Sequence, residues 1–281
     1  MKIIRFLDEQ ERICYGHRYE GGIATLLEGQ LPEELKDTGK KIAVKKLLAP
    51  IAPTAILCIG LNYHQHAEET GFEIPKYPAL FLKNPAALNH PADPIVLPAT
   101  CIDPPQVDYE AELAVVIGKP AKNVSVTEAL SYVKGFTLAN DISARRWQKH
   151  AGAGQFARSK SFDTFCPLGP VLVTPDEIPD PQKIQLRCML NGEIMQEAHT
   201  SDMIFSVAEI ITYLSTDMTL LPGSVILTGT PSGVGYTRNP PVFLKPGDVV
   251  KVSASDIGTL KNPVISESTV VREMGDLNFR P

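Results

Sequence analysis

The chain has 281 residues, enough for one large domain or a domain with a small appendage, and its 43% hydrophobic and 21% charged residues are typical of a globular protein. A formal net charge of −5 offers no basic surface, so neither nucleic acid nor an anionic membrane is expected as a partner. Five cysteines without a C-x-x-C spacing argue against a disulfide framework or a zinc knot. With no signal-peptide pattern and no apolar run typical of a membrane span, the sequence predicts a cytosolic protein.

Residues 1–52 are predicted to form a small N-terminal domain. Segments 3–7 and 12–19 alternate as strands do, and a glycine pair at 21–22 marks a turn. The charged segment 32–48 is predicted to be loosely helical.

Residues 53–281 are predicted to form the main domain, of the α+β class and dominated by strands. Short β-rich runs alternate with proline and glycine, and the 24 prolines of the chain exceed the usual share of about 5%. Capping-box patterns at residues 125–128 and 206–209 predict two helices. The pair Asn191-Gly192 predicts a hairpin turn.

Three carboxylates are the strongest chemical signal. Glu110 and Glu112 open an apolar stretch at 107–118, and strand alternation would place both side chains on one face. Asp141 ends another apolar stretch. Adjacent carboxylates repel each other and are costly to desolvate, which a hard cation would remedy, and oxygen ligands favour Mg²⁺ or Mn²⁺ over zinc. The alternative is a solvated sheet face.

The segment 60–70 looks like a short helix, which would place His66 and Glu69 on one face at i and i+3. A carboxylate beside an imidazole orients the ring and raises its basicity, so the pair could move protons or activate water. The alternative is an exposed helical histidine with an incidental neighbour.

Two further segments carry candidate site residues. In the stretch 144–170, the side chains of Arg145, Gln148 and Lys160 could reach the region of Asp141, and the intervening glycines predict a mobile loop or lid. A solvated surface lysine is the alternative for Lys160. The sequence LTGTPSGVG at 227–235 could present backbone N–H groups to an anion, or could be a structural turn.

These segments, taken in order, resemble the fumarylacetoacetate hydrolase family. The similarity covers residues 56–264 and is carried by the motifs N-Y-x-x-H-x-x-E, LFLKN, DYEAELAVVIG, ANDISAR, KSFDTFCPLGP, NGE, TGTPSGVG and LKPGD. It implies a mixed β-sandwich roll behind a small N-terminal domain, and a homodimer.

The resemblance also implies roles for individual residues. The Mg²⁺ ligands would be Glu110, Glu112 and Asp141. The catalytic residues would be His66, Glu69 and Lys160, the first two carried by a segment that closes over the substrate. The substrate-binding residues would be Lys83, Arg145, Gln148 and Thr230.

Two positions depart from the family pattern. Asn62 stands where the name-giving hydrolases carry an aspartate that adds to the metal site, which argues against fumarylacetoacetate as the substrate. Asp256 stands where glycine is usual.

Segments 160–170 and 228–248 are most similar to a subgroup that includes oxaloacetate tautomerases. Other relatives cleave acylpyruvates or decarboxylate oxaloacetate, and all these reactions share a metal-bound enolate of a 2-oxo acid. The first hypothesis is therefore an enol–keto tautomerase of oxaloacetate. The alternatives are a fumarylpyruvate-type C–C hydrolase, an oxaloacetate decarboxylase, and a non-catalytic binding protein that keeps the fold.

Overall fold

The computed structural model describes residues 1–150 and 154–267. Residues 151–153 of the predicted lid therefore lie outside the described residues, as does the end of the predicted main domain. Within these ranges, none of the helices is both long enough and apolar enough to cross a membrane.

The described ranges contain nineteen strands, so the prediction of a strand-dominated α+β fold is confirmed. In chain order they are β1 (Lys2–Leu7), β2 (Ile13–Glu20), β3 (Ile23–Glu28), β4 (Lys36–Ala43), β5 (Lys46–Leu48), β6 (Ile56–Gly60), β7 (Ala79–Lys83), β8 (Leu88–Asn89), β9 (Ile95–Leu97), β10 (Val107–Asp108), β11 (Ala111–Ile117), β12 (Val133–Asn140), β13 (Ser143–Ala144), β14 (Cys166–Val173), β15 (Gln185–Leu190), β16 (Glu193–His199), β17 (Val225–Leu227), β18 (Val249–Ala254) and β19 (Gly258–Ser266).

Helices are short and few in the same ranges. The α-helices are α1 (His64–Thr70), α2 (Arg145–His150), α3 (Phe156–Lys160) and α4 (Val207–Ser215). Single 3₁₀ turns cover Pro85–Ala87, Ala99–Cys101, Ala129–Tyr132, Thr200–Asp202 and Gly235–Thr237.

Two sheets of the described chain pack against each other. The larger has the order β4-β3-β2-β1-β14-β12-β11-β17-β6-β7, with β5 beside β1 and β8 beside β14. The smaller has the order β16-β15-β18-β19-β9. Strands β11, β12 and β14 contact β15, β18 and β19 across the sandwich. Every residue of β11 is buried, as expected for a central strand covered on both faces.

The N-terminal strands continue the larger sheet. Strand β1 pairs antiparallel with β14, with Lys2 opposite Val173. A small separate apolar cluster forms around Ile4, Phe6 and Ala24. The boundary between residues 52 and 53 stays a prediction, because the sheet is continuous across it.

Local sequence signals gave mixed results. The capping box at Ser206 is present and begins α4, and the turn at Asn191-Gly192 joins β15 to β16. The pattern at 125–128 precedes only a 3₁₀ turn.

The helical prediction for 32–48 is wrong, since this segment forms strands β4 and β5. Strand β4 ends the larger sheet and pairs with β3 alone, and its lysines are exposed. Exposed lysines are typical of an edge strand, where they discourage pairing with other chains.

Candidate active site

The pairing of β11 with β12 brings the three predicted carboxylates together. Ala111 lies opposite Asn140, so Glu110 and Asp141 are neighbours just beyond the two strand ends, and the Asp141 N–H donates to the Glu110 carbonyl at 2.8 Å. One oxygen from each of Glu110, Glu112 and Asp141 lies within 4.8 Å of the others, and all three residues are buried. The alternative of a solvated sheet face is wrong.

Two lysines contact this carboxylate cluster. Lys160, at the end of α3, has its Nζ 2.7 Å from Glu110 Oε2 and 2.6 Å from Asp141 Oδ2. Lys83, at the end of β7, has its Nζ 2.5 Å from Asp141 Oδ1 and 3.3 Å from the Ile142 carbonyl. Both lysines are buried, so the alternative of a solvated Lys160 is wrong.

Arg145 completes the positive side of the site. Its Nη2 lies 2.7 Å from Glu110 Oε1, and its Nη1 donates to Gln148 Oε1 at 3.0 Å. Burial alone would lower the pKa of Arg145, but the carboxylates of Asp108 and Glu110 raise it. The guanidinium therefore stays charged although it is buried.

Asp108 holds Arg145 in place and was missed by the sequence analysis. Its Oδ2 accepts from Arg145 Nε at 2.9 Å and from the Tyr236 N–H at 3.1 Å. Its Oδ1 accepts from the N–H groups of Tyr109 and Gly235, both at 2.8 Å. The available signal was an acidic residue at the start of an apolar run, which does not identify its partners.

The surroundings of Glu112 differ from those of Glu110. Its Oε2 accepts one hydrogen bond, from the Gly229 N–H at 2.7 Å. In the part of the chain that the structure describes, no basic side chain lies within ion-pair distance of it. Burial, together with the charges of Asp141 and Glu110, raises the pKa of Glu112 well above its usual range. For Glu110, burial acts in the same direction, but Lys160 and Arg145 outweigh it and lower the pKa.

The formal charges of the site indicate that Glu112 lacks a positively charged partner. The buried acidic groups are Asp108, Glu110, Glu112 and Asp141, and the buried basic groups in contact with them are Lys83, Arg145 and Lys160. With all four carboxylates ionised, as metal binding requires, four negative charges against three positive charges leave one negative charge uncompensated. An all-oxygen donor set with a surplus negative charge fits a hard divalent cation such as Mg²⁺ or Mn²⁺.

The predicted histidine–glutamate pair is formed on α1. His66 Nδ1 lies 2.9 Å from Glu69 Oε2, and Glu69 Oε1 accepts from the Gly233 N–H and from Thr237 Oγ1, each at 2.9 Å. Burial acts to raise the pKa of Glu69, but these hydrogen bonds outweigh it and lower the pKa. His66 is buried, so the alternative of an exposed helical histidine is wrong.

The loop at 228–237 directs N–H groups at three of the chain's own carboxylates, those of Glu112, Glu69 and Asp108. Gly229 and Gly233 have φ of +99° and +96°. A Cβ on Gly233 would lie 2.1 Å from the Met195 carbonyl oxygen, so only glycine fits there. In segment 227–235 these N–H groups are thus engaged by the chain's own carboxylates, and binding of a separate anion there stays a prediction.

Thr230 lies at the cavity wall with its hydroxyl already engaged. Its Oγ1 donates to the Ala111 carbonyl at 3.1 Å and accepts from Gln196 Nε2 at 2.8 Å. Gln196, which the sequence analysis did not single out, also accepts from the Ala111 N–H at 2.9 Å. These contacts fix the start of β11 against the loop.

Asn62 is fully buried and serves the backbone. Its Nδ2 donates to the carbonyls of Phe205 and Thr228 at 3.0 and 2.8 Å, and its Oδ1 accepts from the Phe205 N–H at 2.8 Å. An aspartate could not donate to the two carbonyls. Asp256, the other departure from the family pattern, is exposed in the turn between β18 and β19.

These groups surround a cavity of about 540 Å³. The polar residues that line it are His66, Thr70, Glu110, Glu112, Arg145, Gln148, Lys149, Lys160, Thr230 and Tyr236. The apolar residues that line it include Ile59, Leu61, Phe72, Phe81 and Phe156. Lys83 and Asp141 are not among the described residues that line it. The sequence analysis also missed Lys149 and Tyr236.

The fold and site define an enzyme family. The profile of the family described as "Fumarylacetoacetate (FAA) hydrolase C-terminal" matches residues 55–265, about three quarters of the chain. The chain belongs to this family, as its motifs predict.

Relatives of this chain include proteins named as oxaloacetate tautomerases. The chain is 47% identical over 219 residues to "Oxaloacetate tautomerase FAHD2A, mitochondrial" of Bos taurus, covering 78% of this chain and 69% of that protein. The human protein of the same name is 45% identical over 219 residues, with the same coverage. The activity in these names is the first of those predicted above.

The prediction of a cytosolic protein is contradicted by these relatives, which are mitochondrial by name. Composition, charge and cysteine spacing do not distinguish one compartment from another, so the prediction had no firm physical basis.

Solved structures share the fold. The 5-carboxymethyl-2-hydroxymuconate delta-isomerase of Mycobacterium smegmatis superposes with a TM-score of 0.82 at 36% identity, covering 95% of this chain and 100% of that one. The fumarylacetoacetate hydrolase of Exiguobacterium antarcticum superposes with a TM-score of 0.81 at 35% identity and the same coverage.

Proposed function

We propose that the chain is a divalent-metal-dependent enzyme that interconverts the enol and keto forms of oxaloacetate. One observation carries the proposal: a carboxylate cluster with an uncompensated negative charge shares a cavity with a hydrogen-bonded histidine–glutamate pair. The names of the relatives support oxaloacetate as the substrate.

Glu110, Glu112 and Asp141 would hold Mg²⁺ or Mn²⁺. When bound, the ion would stabilise the negative charge that develops on the 2-oxo oxygen during enolisation. Its two positive charges would also change the surplus charge of the site from −1 to +1. The cavity would then favour an anionic 2-oxo acid, which the acidic residues alone would repel.

The proton transfer is assigned to His66. Its Nδ1 is bound to Glu69, which leaves Nε2 as the nitrogen that can exchange a proton with a substrate carbon. Glu69 holds the ring orientation and stabilises its protonated form. Because Glu69 is itself held by the loop at Gly233 and Thr237, the base is fixed relative to the carboxylate cluster.

The remaining predicted residues receive roles that match their contacts. Lys160 lines the cavity and bridges Glu110 and Asp141, so it would offset the repulsion between the two carboxylates and face the developing charge. Arg145 and Gln148 line the cavity and would bind the substrate carboxylate. Thr230 would shape the wall.

For Lys83, the contact with Asp141 suggests support of a metal ligand rather than contact with substrate. Direct substrate binding by Lys83 stays a prediction.

The test is an ultraviolet assay of enol-oxaloacetate decay. We expect acceleration with added Mg²⁺ or Mn²⁺, its loss with chelator, and its loss in His66→Asn and Glu69→Gln. The non-catalytic alternative predicts no acceleration in the wild-type protein. Pyruvate formation, followed in parallel, would indicate the decarboxylase instead.

Hydrolysis of an acylpyruvate is the second candidate. The apolar wall with Phe72, Phe81 and Phe156 would accommodate a substituent that oxaloacetate lacks, and the His66–Glu69 pair could activate water. Rapid acylpyruvate cleavage without tautomerase activity would replace the first proposal with this one.

A homodimer is proposed as the working assembly. Strand β7 lies at one end of the larger sheet, and its Leu80 and Leu82 side chains are 41% and 50% exposed. Phe72 and Tyr77, just before it, are also exposed. Light scattering at several protein concentrations tests this assembly.

A further inference from the structure

We propose that Lys149, placed against the ring of Tyr236, binds the second carboxylate of the substrate and so selects dicarboxylic 2-oxo acids. The inference rests on the proposed function and adds a specificity-determining residue to it. Among the described residues, Lys149 is the one cation of the cavity wall that has no acidic partner.

The cations of the site differ in how they are paired. Lys160 contacts two carboxylates, and Arg145 contacts Asp108 and Glu110. Lys149 also lines the cavity, but no carboxylate within residues 1–150 and 154–267 lies at ion-pair distance from it. Its positive charge is therefore available to a ligand.

Helix α2 places this charge beside the proposed carboxylate-binding group. Arg145, Gln148 and Lys149 are at i, i+3 and i+4, so they share one face of the helix, and all three line the cavity. Partial burial, followed by the charge of Arg145, lowers the pKa of Lys149. An anion bound to Lys149 would relieve that repulsion.

Tyr236 holds the lysine toward the cavity. The Lys149 Nζ lies 3.8 Å from the centre of the Tyr236 ring, and the guanidinium carbon of Arg145 lies 4.4 Å from it. Both are within the distance of about 6 Å at which a cation is attracted to an aromatic face. The Tyr236 N–H is bound to Asp108, so one buried carboxylate positions both Arg145 and the ring.

The cavity lining therefore contains two neighbouring cations, Arg145 and Lys149, that could each bind one carboxylate. The carboxylate next to the 2-oxo group would bind Arg145. The far carboxylate of a four-carbon acid would reach Lys149. A monocarboxylic 2-oxo acid offers nothing to Lys149. The loss of this charge should therefore affect the two substrate classes differently.

The experiment compares Lys149→Met with the wild-type protein on enol-oxaloacetate and on enol-phenylpyruvate, both with Mg²⁺. Loss of a charged hydrogen-bonding partner should raise KM for oxaloacetate about tenfold with little change in kcat. The KM for phenylpyruvate should not rise. Lys149→Arg should retain most of the wild-type behaviour.

Matched controls separate this role from a structural one. Lys119 lies 4.3 Å from the centre of the Tyr132 ring, outside the cavity, so Lys119→Met removes a similar stacked lysine and should change neither KM. Tyr236→Phe keeps the aromatic face and should raise the KM for oxaloacetate less than Tyr236→Leu does. Tyr236→Leu should show part of the Lys149→Met effect.

A binding measurement keeps the inference testable if the proposed reaction is wrong. In calorimetry with Mg²⁺, Lys149→Met should weaken L-malate binding about tenfold. The affinity for oxalate should not change, because its two carboxylates are bonded directly to each other and neither extends to Lys149. A wild-type protein inactive on oxaloacetate would overturn the proposed function alone. Equal losses for both ligands, or none for malate, would overturn the role of Lys149.

Discussion

Asp108 and Glu112 lie four residues apart in one buried segment, yet their negative charges are compensated very differently. Asp108 accepts hydrogen bonds from three backbone N–H groups and contacts the guanidinium of Arg145. Glu112 accepts one backbone hydrogen bond and has no basic partner within the described ranges. The charge of Asp108 is compensated by groups of the protein itself, whereas that of Glu112 could be compensated by a cation from outside the chain.

Glu69 extends the comparison to a partly exposed carboxylate. It is surrounded by donors, as Asp108 is, but one of them is His66, which lines the cavity. These hydrogen bonds favour the ionised form of Glu69, and His66 is the member of the pair that lines the cavity.

The largest expected effect is that of Glu112→Gln on activity. Removal of a metal ligand should lower kcat/KM on the order of 10³-fold, because the charge on the 2-oxo oxygen is no longer stabilised. The metal-free protein should unfold at the same temperature or higher, since an uncompensated buried charge is removed. Glu197→Gln, in an exposed pair with Arg187, is the control. A large loss of metal-free stability would contradict the contrast with Asp108.

Asp108→Asn should show the opposite pattern. Loss of the buried charge leaves Arg145 without its main partner, which should lower the free energy of unfolding by about 3 kcal/mol in urea titrations. Activity should fall through misplacement of Arg145, while metal affinity changes little. Unchanged stability would show that Asp108 is not a structural carboxylate.

Metal addition sharpens the contrast. At 100 times its dissociation constant, Mg²⁺ or Mn²⁺ should raise the free energy of unfolding of the wild-type protein by about 2.7 kcal/mol. The gain should be retained in Asp108→Asn and largely lost in Glu112→Gln. Equal gains in both variants would place the ion elsewhere.

The smallest effect is expected at Glu69. Because its pKa is below the usual value, its ionised form persists above that lowered pKa and is lost as the pH falls through it. Thr237→Val removes one donor, so the acid limb of the kcat/KM profile should move upward by about half a pH unit. Thr237→Ser keeps the hydroxyl and should leave the limb in place. A downward shift would contradict this assignment.

The sequence predicted the parts of the site that depend on local geometry. Strand alternation placed Glu110 and Glu112 on one face, and helical spacing paired His66 with Glu69. The grouping of these segments came from family resemblance, since nothing local relates Glu112 to Gly229, 117 residues away. Resemblance also gave the fold.

What could not be predicted depends on long-range pairing. Segment 32–48 has a charged composition that favours helix, and only its pairing with β3 makes it a strand. Lys83 was assigned to substrate by its motif, but its contact with Asp141 depends on how β7 lies relative to β12. Asp108 has no local pattern that distinguishes it from a metal ligand.

The attachment of α1 has a consequence for how the enzyme would work. Asn62 fastens the start of the helix to Phe205 and Thr228, whereas Glu69 fastens its far end to the glycine loop through two hydrogen bonds. An outward swing of the far end would break the contacts that keep Glu69 ionised and His66 oriented. Displacement of α1 from this loop would therefore disable the proposed base.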